Sequence, residues 1–113
     1  MFREEESIRA ALDTIVQLKG RYADIGLTDR SQIFNTEVVQ AIELGNMLDV
    51  AEAVALSALH RRESRGAHTR TDYPTRNDAE FWKHSLVTFA ADGPRLSYKP
   101  VTKTRWELEE RKY

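Results

Sequence analysis

The stretch from Thr36 to about Arg62 constrains this chain more than any other. Its apolar and small residues, among them Val38, Val39, Ala41, Ile42, Leu44, Met47, Leu48, Ala51, Val54, Ala55, Ala58 and Leu59, recur at helical spacing but cover more than one stripe. A helix that is apolar over so much of its circumference has to be packed on two sides. Its start is well marked, because Asn35 is a good N-cap and Phe34 is placed to pack on Val39 as a hydrophobic staple.

One covering element lies just upstream. From Glu4 to about Ile25, the residues Ile8, Ala11, Leu12, Ile15, Leu18, Tyr22 and Ile25 fall at steps of three and four, which puts them on one face of an amphipathic helix. The carboxylates of Glu4, Glu5 and Glu6 suit the positive end of its dipole, Gly20 is a weak spot inside it, and Gly26 is expected to stop it in the left-handed conformation. This helix covers one side of the second helix and leaves the other side in need of cover.

At 113 residues the chain has room for a single domain, 1–113, with one modest core. A net charge of -1 gives no global attraction for nucleic acid or an anionic membrane, so no nucleic-acid partner and no direct membrane insertion are expected. With no cysteine there is neither a disulfide scaffold nor a thiolate metal site, and a cytoplasmic location is expected. No apolar run approaches the roughly 20 residues that cross a bilayer, and Met1-Phe2-Arg3-Glu4 does not open like a signal peptide. His60, His68 and His84 lack compact metal-ligand spacing, and no nucleophile elbow, Walker loop or dinucleotide fingerprint is present. The expected catalytic, cofactor-binding and metal-binding residues in this chain are therefore none.

Beyond the second helix, expected over 36–64, the character changes. Residues 65–76 have no helical or strand period, and Pro74 biases Tyr73 toward extended backbone, which predicts an ordered loop. Asn77 with Glu80 resembles a capping box and predicts a short helix over 78–83 carrying Phe81 and Trp82. Ser85 to Phe89 and Leu96 to Val101, joined across Asp92-Gly93-Pro94, predict a small antiparallel hairpin over about 85–101. The charged stretch 102–113 reads as a surface tail, docked through Trp106 and Tyr113.

The densest polar cluster runs from His60 to Asp72. In one reading Arg61, Arg62 and Arg65 occupy the last turn of the second helix, offsetting its dipole, with Gly66 as the terminator. In the other, planar guanidinium groups and a histidine hold carboxylates or phosphates of another domain. The two are compatible.

The segment Arg62-Glu63-Ser64-Arg65-Gly66-Ala67-His68-Thr69-Arg70-Thr71-Asp72-Tyr73-Pro74 closely resembles the signature RxESRGAHxRxDxP of the C-terminal domain of succinate dehydrogenase and fumarate reductase flavoproteins. The likeness extends to Phe34-Asn35-Thr36, Glu43-Leu44, Arg76-Asn77-Asp78, Trp82 and His84-Ser85-Leu86, and so covers almost the whole chain. One departure is Asn77-Asp78, where the family often carries Asp-Asp. L-aspartate oxidase shares part of the signature, but Tyr98-Lys99-Pro100-Val101 and Glu109 to Tyr113 look more like the succinate dehydrogenase group. A free-standing helical adaptor is the other competing function.

The resemblance implies a mainly α fold with the long antiparallel helices of a spectrin-repeat-like three-helix bundle, Met1-Phe2-Arg3 being the tail of a truncated first helix. It implies a parent that oxidises succinate with electrons passing through FAD, held by preceding domains. The implied partners are the FAD-binding domain of the same polypeptide and an iron-sulfur subunit, with the whole peripheral at the inner face of the cell membrane. Arg62, Glu63, Ser64, Arg65, Gly66, His68, Arg70 and Asp72 are then the expected docking residues between domains.

Overall fold

A computed structural model describes residues 3–109. Two long helices, α1 (Glu5–Tyr22) and α2 (Thr36–His60), are followed by a loop, a one-turn helix α3 (Asp78–Phe81), and the strands β1 (Lys83–Thr88) and β2 (Arg95–Pro100). The helices lie antiparallel, because stepping back along α1 from Tyr22 to Lys19 moves the partner forward along α2, from Ala41 to Asp49 and Glu52. The Tyr22 hydroxyl donates to the Ala41 carbonyl at 2.9 Å, and Lys19 reaches Asp49 at 2.7 Å and Glu52 at 2.6 Å. Gly45 permits this approach, since a Cβ there would stand 2.7 Å from the Tyr22 hydroxyl.

The apolar core is small: Ile8 of α1, Leu48 and Leu59 of α2, and Phe81 of α3. On the opposite side of α2, Val39, Ile42, Met47, Val50 and Val54 form an exposed stripe, with Val50 at 64 % and Val54 at 60 %. The second apolar face expected from the pattern is therefore present, and the hairpin covers only part of it. β1 and β2 pair antiparallel from Lys83 with Pro100 to Thr88 with Arg95, which leaves Pro100 at the end of the ladder, where its missing N–H costs little.

Several local expectations need correction. α1 ends at Tyr22, three residues early, because the N–H groups of Ala23, Asp24 and Ile25 tighten onto carbonyls three residues back; Gly26 does not adopt a positive φ. Asn35 does cap α2, accepting from the Val38 N–H at 3.1 Å, but the staple is not formed: Phe34 sits at φ 56° and is 95 % exposed. α2 stops at His60 instead of running to residue 64, and Arg61 is extended. Gly66 is left-handed at φ 59°, but in a loop turn six residues beyond the helix.

Arg3 is extended and bridges Arg70, so it is not the tail of a helix; Met1 and Phe2 lie outside the described residues. Trp106 is 77 % exposed and does not dock the tail, and Tyr113 lies outside the described residues.

Candidate functional site: a knot of buried ion pairs

The loop between α2 and α3 folds around two charged side chains with no solvent exposure, Glu63 and Arg70. A buried charge is tolerated only when its hydrogen-bonding capacity is filled, and here it is. Glu63 accepts from Arg61 Nη1 at 2.7 Å, from Arg65 Nε at 2.8 Å and Nη2 at 3.0 Å, and from the Asn77 backbone N–H at 2.9 Å. Burial pushes the Glu63 carboxyl up, but the bonds from Arg65, Asn77 and Arg61 outweigh it and hold the pKa below its ordinary value.

Arg70 reaches in three directions. Its Nε donates to Asp72 Oδ1 at 2.7 Å while Nη2 donates to the other oxygen, a bidentate pair. Its Nη1 donates to the carbonyls of Ala58 at 3.0 Å and Leu59 at 3.2 Å, two of the orphan acceptors at the end of α2. Its guanidinium also lies 5.0 Å from the centre of the Tyr73 ring. Asp72 in turn accepts from the Glu5 N–H at 2.9 Å, at the first turn of α1. One ion pair thus terminates α2 and starts α1, and the cation at the C-terminus of α2 comes from the loop instead of the helix's own last turn. The Arg70 bonds, helped by the Glu5 N–H, hold the Asp72 carboxyl far below the usual carboxylate range.

The remaining signature residues shape the backbone. Ser64 Oγ accepts from the Arg70 N–H and donates to the Tyr73 carbonyl, each at 2.8 Å. Arg65 and His68 exchange backbone hydrogen bonds of 2.8 and 3.0 Å across the Gly66 turn. The His68 Nε2 lies 3.1 Å from the Arg61 carbonyl, which fits a ring donating there; burial, together with the charges of Arg3, Arg70 and Arg61, pushes its pKa down. Arg65 also pairs with Asp78, which is held by Arg76 at 3.0 Å from the other side.

Of the eight expected docking residues, Glu63 and Arg70 have no surface with which to touch another domain, and Ser64 makes its bonds within the loop. Arg62 and Gly66 are exposed, while Arg65, His68 and the carboxylate of Asp72 are partly so. Sequence reasoning missed Arg61 as an organising residue: its Nη1 donates to Glu63 and to the Phe81 carbonyl at 3.0 Å, and its Nη2 to the Lys83 carbonyl at 2.6 Å, tying α3 and β1 to the loop. It also missed Arg3, whose backbone pairs with Thr69 and Thr71. Two adjacent arginines gave no signal as to which one turns inward. The Asn77 departure is accommodated, since its side chain accepts from the Glu80 N–H at 3.2 Å and caps α3.

Among the described residues, buried side-chain polar atoms all have partners and no cluster of three or more His, Cys, Asp or Glu is placed to hold a metal. The chain belongs to the family described as fumarate reductase flavoprotein C-term, whose model matches residues 1–113.

It is 44% identical over 114 residues to the fumarate reductase flavoprotein subunit of Haemophilus influenzae, a match that takes in all of this chain and 19% of that protein. It is also 44% identical over 105 residues to the succinate dehydrogenase flavoprotein subunit of Rickettsia conorii, covering 92% of this chain and 18% of that one. Among solved structures, a variant of the E. coli quinol fumarate reductase FrdA matches with a TM-score of 0.90 at 40% identity, over 94% of this chain and 19% of that chain. The chain thus spans about a fifth of the length of the relatives it matches. These findings do not favour an L-aspartate oxidase fragment or a free-standing adaptor.

Proposed function

We propose that this region packs on the FAD-binding domain of a longer flavoprotein polypeptide, and that the parent interconverts succinate and fumarate with electrons passing through FAD to an iron-sulfur subunit. It has a structural role and is not catalytic alone. The observation that carries this reading is the family match along the whole chain together with the open stripe from Val39 to Val54 on α2. A stripe of that kind is covered in an assembled protein. Its most economical cover is a further helix from the preceding chain, which completes a three-helix bundle and joins the single unit 1–113 to the rest of the subunit.

The described residues do not fit FAD. Gly66 and Gly93, the glycines with positive φ, lie in a loop turn and in the hairpin turn, and neither opens a helix after a strand as a pyrophosphate cradle requires. On this reading the chemistry belongs to the rest of the polypeptide. No helix among the described residues is long and apolar enough to cross a membrane, and we place the subunit peripherally at the inner face of the cell membrane, held there by its partners. Arg62 and Gly66, which are exposed, and Arg65, His68 and Asp72, whose side chains are partly so, supply the polar docking contacts.

The test is complementation. A flavoprotein subunit truncated before this region is mixed with increasing amounts of this chain, and succinate-dependent dye reduction is followed. Restored activity, with none from the chain alone, is expected; dye reduction by the chain alone, or no restoration at saturating chain, contradicts the proposal.

A further inference from the structure

A pocket of about 480 Å³ opens where α3 turns into β1, and none of the residues of the stripe on α2 reaches it. Arg61, Arg65, His68 and Lys83 line it, Phe81 and Trp82 form its apolar wall, and no carboxylate faces it. That volume is in the range of small-ligand sites. The acids behind the pocket do not balance its cations. Arg61, Arg65, Arg76 and Lys83 surround two carboxylates: Glu63, which holds Arg61 and Arg65, and Asp78, which is shared by Arg65 and Arg76. Four positive charges against two negative ones leave an excess of two. His68 registers the same excess, since its pKa is pushed down first by burial and then by the charges of Arg3, Arg70 and Arg61.

The donors left over select the shape of the anion. Arg61 has both terminal nitrogens engaged, Nη1 by Glu63 and the Phe81 carbonyl, Nη2 by the Lys83 carbonyl and the Ser85 hydroxyl. Arg65 turns its Nε and Nη2 edge to Glu63, so the fork that would grip a planar carboxylate is occupied. Its Nη1 has no partner among the described residues. The Lys83 Nζ lies 4.0 Å from the centre of the Tyr98 ring and 5.3 Å from that of Phe81, and forms no ion pair among the described residues. Aromatic faces hold an ammonium group in place without neutralising it. Single N–H donors from separate side chains suit a tetrahedral oxyanion, with three oxygens to accept them, better than a planar one. The buried Glu63 then has a role that stability does not give it, because it fixes the guanidinium groups behind the pocket.

We propose that this pocket binds a phosphate group, as the free ion or as part of a nucleotide, with Lys83 and Arg65 as its donors. Because Arg65 and His68 also belong to the proposed docking surface, the test uses the full-length subunit in its assembled complex. Lys83 is acylated with an N-hydroxysuccinimide ester in phosphate-free buffer. Its modification is followed by mass spectrometry as inorganic phosphate is added, with the ionic strength held constant by sodium chloride. Labelling of Lys83 should slow about tenfold, with half the effect at about 1 mM phosphate, while acetate at the same concentrations protects little. AMP in place of inorganic phosphate identifies the source. Half-protection at a lower concentration of AMP assigns a nucleotide stacked on Trp82, and half-protection at the same concentration assigns the free ion. Equilibrium dialysis of radiolabelled phosphate should count one more site per subunit in the unaltered complex and in Lys83→Arg than in Lys83→Gln. Labelling indifferent to phosphate and AMP, equal protection by acetate, or equal site counts with and without Lys83 overturns the proposal. A Lys83 that resists labelling even without phosphate shows the pocket closed by docking and overturns it as well.

Discussion

The helix pair and the loop that ties its ends together have opposite economies of burial. Between α1 and α2 the buried apolar residues are few, and a stripe of valine, isoleucine and methionine faces outward. In the loop, two full charges lie at 0 % exposure with their hydrogen bonds satisfied by the chain itself. Buried ion pairs supply little net stability but a demanding geometry, whereas apolar area supplies stability with little geometry. The loop therefore sets where the helices begin and end, and on the proposed function the stripe leaves part of the driving force to be realised against the rest of the subunit.

The sharpest way to break this contrast is to remove one partner from the loop. Arg70→Met leaves the Asp72 carboxylate and the carbonyls of Ala58 and Leu59 without their donor, and should destabilise the fold by about 4 kcal/mol in denaturant unfolding. Glu63→Gln leaves Arg61 and Arg65 facing a neutral group and should cost about 3 kcal/mol. Within the helix pair, Gly45→Ala drives a methyl group into the Tyr22 ring and should cost about 2 kcal/mol, while Gly20→Ala, with open space around it, should be stabilising by about 0.7 kcal/mol.

The pH dependence separates the groups of the loop. His68 has a depressed pKa in the folded state, so its contribution is complete above the unfolded value near 6.5 and declines as the pH falls below it. Glu63 and Asp72 are also depressed, so theirs is complete above the ordinary carboxylate range and is lost as the pH drops below about 4. Unfolding free energy against pH should therefore show two declines, and His68→Gln should remove the upper one. The smallest effect is expected on the stripe: Val54→Ser should change the stability of the chain by less than about 0.5 kcal/mol, because the side chain is already exposed.

What could be read from the residues follows the same division. The 3.6-residue period of Ile8 to Tyr22 and the double face of Val39 to Leu59 are local and repetitive, and they specify two helices and an uncovered flank from the residues alone. The Asn35 cap and the hairpin about Gly93 were legible for the same reason. The end of α2 was not, because Arg61 to Arg65 look like a helix terminus, while the side chain that closes it, Arg70, lies ten residues beyond His60 and acts through space. Phe34 misled in a similar way: its position before Asn35 fits a staple, but its left-handed backbone turns the ring to solvent. In the loop the residue types were readable as a charge cluster, whereas the choice of Glu63 and Arg70 for the interior depends on pairings with Asn77, Asp72 and Glu5 that no spacing reveals.

The central claim is that the stripe on α2 is a docking face, and thiol accessibility tests it most directly. This chain contains no cysteine, so Val54→Cys places a single thiol on the stripe. Its labelling rate is to be compared between the isolated chain and the full-length subunit. The account predicts rapid labelling in the chain alone and at least about tenfold protection in the full-length protein; equal rates in the two would show that nothing covers the stripe and would contradict it.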